Sequence, residues 1–219
     1  MSAAPPRIPV ALVTGASRGL GRALAVELAR RGHHVLAVAR TTGGLEDLDD
    51  AIRALGGQAT LAPMDVTNPE AMGQLAQAIA GRWGALDVWV HAAVHAAPLS
   101  PAGHVDAKDF DRSVAVNLRA TAGLIPLLEP LLRAGGGTAL FLDDPRAGQK
   151  FFGAYGSTKA AQVALARTWQ AETARIGPRV VIATPAPMAT ATRARFFPGE
   201  DRSGLADPAE EARRILAAL

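Results

Sequence analysis

Apolar residues run unbroken through Val10–Val13, give way to TGASRGLG (Thr14–Gly21), and then recur at helical spacing in ALAVELARRG. The same change of rhythm repeats along the chain. His34–Ala39, Thr60–Pro63, Leu86–His91, Thr138–Leu142 and Arg179–Thr184 read as further strands. Helical patterns follow over Gly44–Leu55, from the Asn68 cap through Ala80, over Lys108–Arg133, Gly153–Ile176 and Pro208–Leu219, with glycines closing several of them. Strands alternating with helices predict an α/β fold with a parallel sheet, right-handed crossovers and helices on both faces. One stretch has no period: 185–207 is broken by prolines and glycines, and irregular segments of that length frequently act as lids.

Composition narrows the class. At 219 residues, 49% hydrophobic and 20% charged, the chain suits one globular domain spanning 1–219, with 185–207 as a substrate or lid loop inside it. Cysteine is absent, which excludes disulfides and thiolate chemistry and fits a reducing compartment. The opening MSAAPPRIPV lacks a basic segment followed by a long apolar run, and no run approaches the roughly 20 residues of a membrane span. A cytoplasmic protein without a membrane partner is expected. The net charge of +3 comes from arginines scattered singly or in pairs, with no basic stripe interleaved with aromatics, which argues against a nucleic-acid partner.

The stretch Thr14–Gly21 lies between a strand and a helix. Gly15, Gly19 and Gly21 let the backbone turn sharply and approach a pyrophosphate, with Ser17, Arg18 and Leu20 filling the loop. The helix start adds free N–H groups and the positive end of a dipole. At the end of the second strand an acidic residue would bind a ribose 2′-hydroxyl. Here Ala39 is followed by Arg40, and Arg18 sits in the loop. Two guanidinium groups suit a 2′-phosphate, so the expected cofactor is NADP, with NAD as the alternative.

With these features in order, the sequence resembles the short-chain dehydrogenase/reductase family over nearly its whole length. TGxxxGxG matches Thr14–Gly21, the Asp–Val pair near the adenine matches Asp65–Val66, and the helix asparagine matches Asn117. YxxxK matches Tyr155–Lys159, and the Pro–Gly stretch after the sixth strand appears as Pro185–Thr190 with Ala186 for glycine. The resemblance implies a doubly wound Rossmann sheet, order 3-2-1-4-5-6, with the cofactor at the switch point. It adds Asp65, Val66, Ala93, Pro185, Met188 and Thr190, with Tyr155 and Lys159, to the cofactor contacts. It implies a small-molecule substrate bearing a carbonyl or secondary alcohol. Family members usually carry one more strand than is read here, and that strand supports a tetramer interface. A six-stranded sheet and a homodimer through the helices around 108–133 and 153–176 are therefore expected.

Tyr155 and Lys159 are four apart on a helix and share a face. An ammonium beside a phenol lowers its pKa, and such a tyrosine can pass a proton to a carbonyl oxygen. By resemblance Lys159 also holds the nicotinamide ribose, and Asn117 marks the bend that keeps a relay water. Two departures stand out. The family's substrate-orienting serine is replaced somewhere in Leu142–Asp143–Asp144, with Asp143 the candidate, and no hydroxyl residue lies between Thr138 and Tyr155. An ionised aspartate accepts hydrogen bonds only and raises the tyrosine's pKa. A buried carboxyl kept protonated would donate instead, and the plain alternative is that the pair caps a strand or binds Arg146. The family's Asn–Asn–Ala–Gly becomes His91–Ala92–Ala93–Val94, which loses an amide at the strand end and sets a branched side chain near the cofactor ribose. His91 and His95 read as structural, since no metal-spaced partners accompany them, and no metal is expected. Phe151, Phe152, Phe196 and Phe197 are candidates for an apolar pocket wall.

Two functions follow from this pattern. One is an NADPH-preferring oxidoreductase with Tyr155 as acid and base. The other is a catalytically impaired protein of the same fold that binds a dinucleotide as a sensor or partner-binding module.

Overall fold

The computed structural model describes residues 7–219. Residues 1–6, and with them most of the N-terminal stretch read above as no signal peptide and the start of the 1–219 domain, lie outside the described residues. Six strands form one parallel sheet: Val10–Thr14 (β1), His34–Ala39 (β2), Gln58–Pro63 (β3), Val88–His91 (β4), Thr138–Leu142 (β5) and Arg179–Ala183 (β6). Their order is β3-β2-β1-β4-β5-β6, as expected. β1 has β2 on one side and β4 on the other, and that reversal opens a crevice at the carboxyl ends of the strands.

Continuous apolar strands are what a sheet covered on both faces requires. Alternate residues of β1 divide between two cores. Ala11 and Val13 join Leu24 and Leu28 of Gly19–Arg30 (α1), Leu48 of Thr42–Arg53 (α2) and Ile215 of Pro208–Leu216 at the chain's end. Val10 and Leu12 join Ile79 of Pro69–Trp83 (α3), with Leu128 and Trp169 from two later helices. Burying each large aliphatic side chain contributes roughly 1.5–3 kcal/mol. Asn68 caps α3 as read, its side chain accepting from the Ala71 amide at 3.1 Å.

The continuous helix expected over Lys108–Arg133 is three pieces: Ala107–Ser113 (α4), a π-helical turn Val114–Arg119, and Ala120–Gly135 (α5). One residue more per turn than an α-helix places Asn117 in the widened turn. Leu86 falls outside β4 because its amide bonds the Leu131 carbonyl, while Asp87 leads into the strand with its amide on the Val10 carbonyl of β1. Gly153–Thr173 (α6) stops one turn before the expected end. The segment 185–207 is not wholly irregular. It contains Ala191–Phe196 (α7), capped by Thr190, before the final helix Pro208–Leu216 (α8). Among the described residues no helix is long and apolar enough to cross a membrane.

Candidate active site

The crevice at the carboxyl ends of the strands contains a cavity of about 540 Å³. Its floor is the turn between β1 and α1. Gly15 has φ +74, and a Cβ there would strike the Ala92–Ala93 backbone at 2.7 Å. A Cβ on Gly21 would strike the Gly15 carbonyl. Only glycine permits this packing of turn against strand end. No side chain caps α1, so its first amides keep the polarity that favours an anion. A dinucleotide pyrophosphate fits such a cradle.

Every cofactor residue named from the sequence lines this one cavity: Gly15, Ser17, Arg18, Gly19, Leu20, Gly21, Arg40, Asp65, Val66, Ala93, Tyr155, Lys159, Pro185, Met188 and Thr190. Arg40 leans towards Asp65 at 3.9 Å. Beside it a smaller cavity of about 190 Å³ is lined by Arg18, Arg40, Arg112 and Arg195. The sequence reading missed the last two, whose spacing of 83 residues hides that α4 and α7 bring them to one place.

At the other end Tyr155 is 4% exposed, and its hydroxyl donates to Asp144 Oδ2 at 3.0 Å. The aspartate that touches the phenol is therefore Asp144, not the Asp143 singled out from the sequence. Asp143 lines the same cavity, held through its amide to the Ala183 carbonyl at 2.7 Å. Arg146 Nε donates to Asp144 Oδ1 at 2.9 Å, so the arginine pairing weighed from the sequence exists alongside the phenol contact. The Arg146 guanidinium lies over the Phe152 and Phe197 rings, 5.5 Å from each centroid. The Phe196 ring packs 4.8 Å from Tyr155. Phe196 and Phe197 thus line the cavity, Phe152 is buried beneath it, and Phe151 points to solvent, contrary to its place in the expected pocket.

The Tyr155 phenol is pushed well above its ordinary range, first by burial, then by the Asp144 charge and the hydrogen bond to it; Arg146 opposes. This corrects the expectation that Lys159 lowers it. Lys159 turns its ammonium to Gln162 Oε1 at 2.6 Å, and burial pulls its own pKa down to about 8 while Asp143 and Asp144 hold it up. The unfolded chain then binds more protons than the folded one between pH 8 and the ordinary lysine value near 10.4. Stability should accordingly rise with pH across that window, by on the order of 3 kcal/mol. Tyr155 contributes the opposite slope only above its ordinary value of about 10. Denaturant melts at stepped pH check this: the rise should vanish in Lys159→Met.

Asn117 is fully buried in the π-helical turn and is not among the cavity-lining residues. Its amide closes on the loop after β4, accepting from the His95 amide at 2.7 Å and donating to the His95 carbonyl at 3.1 Å and to Thr158 Oγ1 at 3.0 Å. His91 is structural, as read. It lies between Thr14 Oγ1 at 2.8 Å and Thr121 Oγ1 at 3.0 Å, and burial pushes it down to about 3, so it stays neutral. Val94 lines the cavity and packs against the cluster around Phe152 and Tyr155.

A family model described as short chain dehydrogenase matches residues 9–201. A protein called an uncharacterized oxidoreductase from Mycobacterium tuberculosis is 33% identical over 156 residues, 69% of this chain and 59% of its own. A fatty acyl-CoA reductase from Acinetobacter baylyi is 34% identical over 167 residues, 74% and 57% of the two chains. The chain spans about three fifths of the length of these curated relatives. Among solved structures, a short chain dehydrogenase from Shigella flexneri complexed with NADP superposes with a TM-score of 0.87 at 29% identity, covering 93% of this chain and 87% of its own. One from Salmonella enterica reaches 0.90 at 28% identity, covering 98% and 92%.

Proposed function

The chain belongs to the short chain dehydrogenase family, and from that premise we propose that it is an NADPH-preferring oxidoreductase acting on a carbonyl or secondary alcohol of a small molecule. The observation that carries the reading is the single cavity that holds the glycine turn, the Arg18–Arg40 pair and the Tyr155–Lys159 pair together. When bound, the nicotinamide supplies a hydride. The glycine turn and the start of α1 receive the pyrophosphate, and Arg18 and Arg40 receive the 2′-phosphate, supported by the NADP in the Shigella relative. Lys159 offers its remaining N–H groups to the ribose.

Tyr155 is the acid. Its proton, held on the phenol by burial and by Asp144, is available to a carbonyl oxygen across the ordinary pH range. The same environment opposes release of that proton, so turnover requires the substrate oxygen to displace Asp144 as the partner of the phenol. Phe196, Phe197 and the 185–207 segment form the apolar side of the substrate space. By family analogy the protein works in the cytoplasm as a homodimer through the helical stretches around 108–133 and 153–176. NADPH consumption across a panel of aldehydes and ketones tests the reading, with at least one substrate turned over; a wholly inert panel contradicts it.

The hydrogen bond from Tyr155 to Asp144 favours a second reading, in which the cavity binds the dinucleotide and the locked phenol prevents turnover. Under either reading Arg40→Gln should lower NADPH affinity about tenfold and leave NADH affinity nearly unchanged, since a charged hydrogen bond contributes roughly 1.5–3 kcal/mol before solvent screening. Calorimetric titration of both nucleotides decides it: equal losses for the two would remove the 2′-phosphate assignment.

A further inference from the structure

The buried side chains beneath the cavity form a continuous chain of hydrogen bonds from β1 to α6. Thr14 Oγ1 meets His91 Nδ1 at 2.8 Å, and His91 Nε2 meets Thr121 Oγ1 at 3.0 Å. Gln162 Nε2 donates to Thr121 Oγ1 at 2.9 Å, and Lys159 Nζ donates to Gln162 Oε1 at 2.6 Å. Thr14, Thr121 and Gln162 are wholly inaccessible, His91 nearly so, and Lys159 is 5% exposed.

We propose that Gln162 is a positioning residue that fixes the Lys159 ammonium at the cavity, and that Thr121 and His91 hold Gln162 in turn. This deepens the proposed function, on which the catalytic meaning of Lys159 rests.

The donors and acceptors permit only one orientation of the glutamine amide. Reversed, its NH₂ would face the ammonium, donor against donor, and its oxygen would face Thr121 Oγ1. Thr121 must therefore accept from Gln162 Nε2. Its own hydrogen goes either to the Asn117 carbonyl at 3.1 Å or to His91 Nε2. His91, neutral, donates from one nitrogen and accepts at the other, and the Thr14 hydroxyl serves either tautomer. A buried ammonium without an acceptor costs far more than an exposed one. Gln162 takes one of its three N–H groups and leaves two for the cavity. The ionisable groups around Lys159 are Asp143 and Asp144 from the end of β5, Tyr155 on its own helix and neutral His91 on β4. No carboxylate bonds the ammonium directly, so the glutamine alone fixes its direction among the described residues.

The arrangement also gives the altered end of β4 a use. An imidazole reaches from β1 to α5, tying Thr14 to Thr121, and so connects a departure from the family pattern to the family's lysine.

Lys108, Lys150 and Lys159 are the only lysines in the chain, and the first two are exposed. NMR titration of protein labelled at the lysine side chains therefore follows the buried Lys159 as one of only three signals. In Gln162→Leu the Lys159 midpoint should fall by a further factor of ten or more in proton affinity; in Gln162→Glu it should rise by as much. Thr121→Val should shift it in the direction of Gln162→Leu, by less. If Gln162→Leu does not fold, Gln162→Glu, which keeps the acceptor oxygen, carries the test. A Lys159 midpoint unchanged in the Gln162 variants overturns the proposal, and one unchanged only in Thr121→Val overturns the part assigned to Thr121 and His91. Parallel titration with NADPH separates the two levels. Failure of the wild-type protein to bind NADPH removes the proposed function, while the lysine midpoints still decide the role of Gln162.

Discussion

Tyr155→Phe should lower kcat for carbonyl reduction by about 10²–10⁴-fold, the usual contribution of a positioned acid, and leave the NADPH dissociation constant nearly unchanged. The phenyl ring keeps the packing against Phe152 and Phe196 and removes only the hydroxyl that donates to Asp144. Fold and cofactor space are thus preserved while the proton source is lost. Steady-state rates on any substrate found in the carbonyl panel, with NADPH binding measured separately, check it. Unchanged turnover would assign the proton to another group, with the Asp144 carboxyl the nearest.

Asp144→Ser should act in the opposite direction. It removes the charge that holds the phenol proton in place and leaves Arg146 near the ring, which pulls the phenol's pKa down. A charge at hydrogen-bond distance commonly shifts a neighbour by one to three pKa units, so phenolate at fixed pH should rise about 10–10³-fold. Alcohol oxidation, which needs that phenolate as base, should rise with it. Tyr155 is the chain's only tyrosine, so near-ultraviolet absorbance of phenolate reports this one group without assignment. The variant should ionise at lower pH than the wild type. It also separates the two functional readings: a wild-type protein inert on the panel and a serine variant active on it would establish the locked, binding-only state as native. A phenol whose titration is unmoved by the substitution would remove Asp144 from the account.

The fold was legible because strands covered on both sides are apolar throughout, and the glycine turn follows the first of them immediately. The π-helical turn was not, since hydrophobic spacing over 108–133 cannot register one extra residue within a turn. Helix α7 is short, built mostly of arginine and alanine, and set by a side-chain cap, so it leaves no period to read. The choice between Asp143 and Asp144 turns on a single position in an irregular loop, and two adjacent aspartates carry no local signal of which one meets the phenol. Gln162 lay in view three residues beyond Lys159, but its meaning comes from Thr121 and His91, which are distant in sequence and belong to α5 and β4. Pairs that only the sheet brings together have no local signature.

The central claim is that this cavity holds a nicotinamide dinucleotide and reads its 2′-phosphate. Titration of the purified protein with NADPH and NADH, followed by nicotinamide fluorescence or calorimetry, tests it most directly. The account predicts saturable NADPH binding at least tenfold tighter than NADH, as two guanidinium contacts to a phosphate require. Absence of binding by either nucleotide would contradict it.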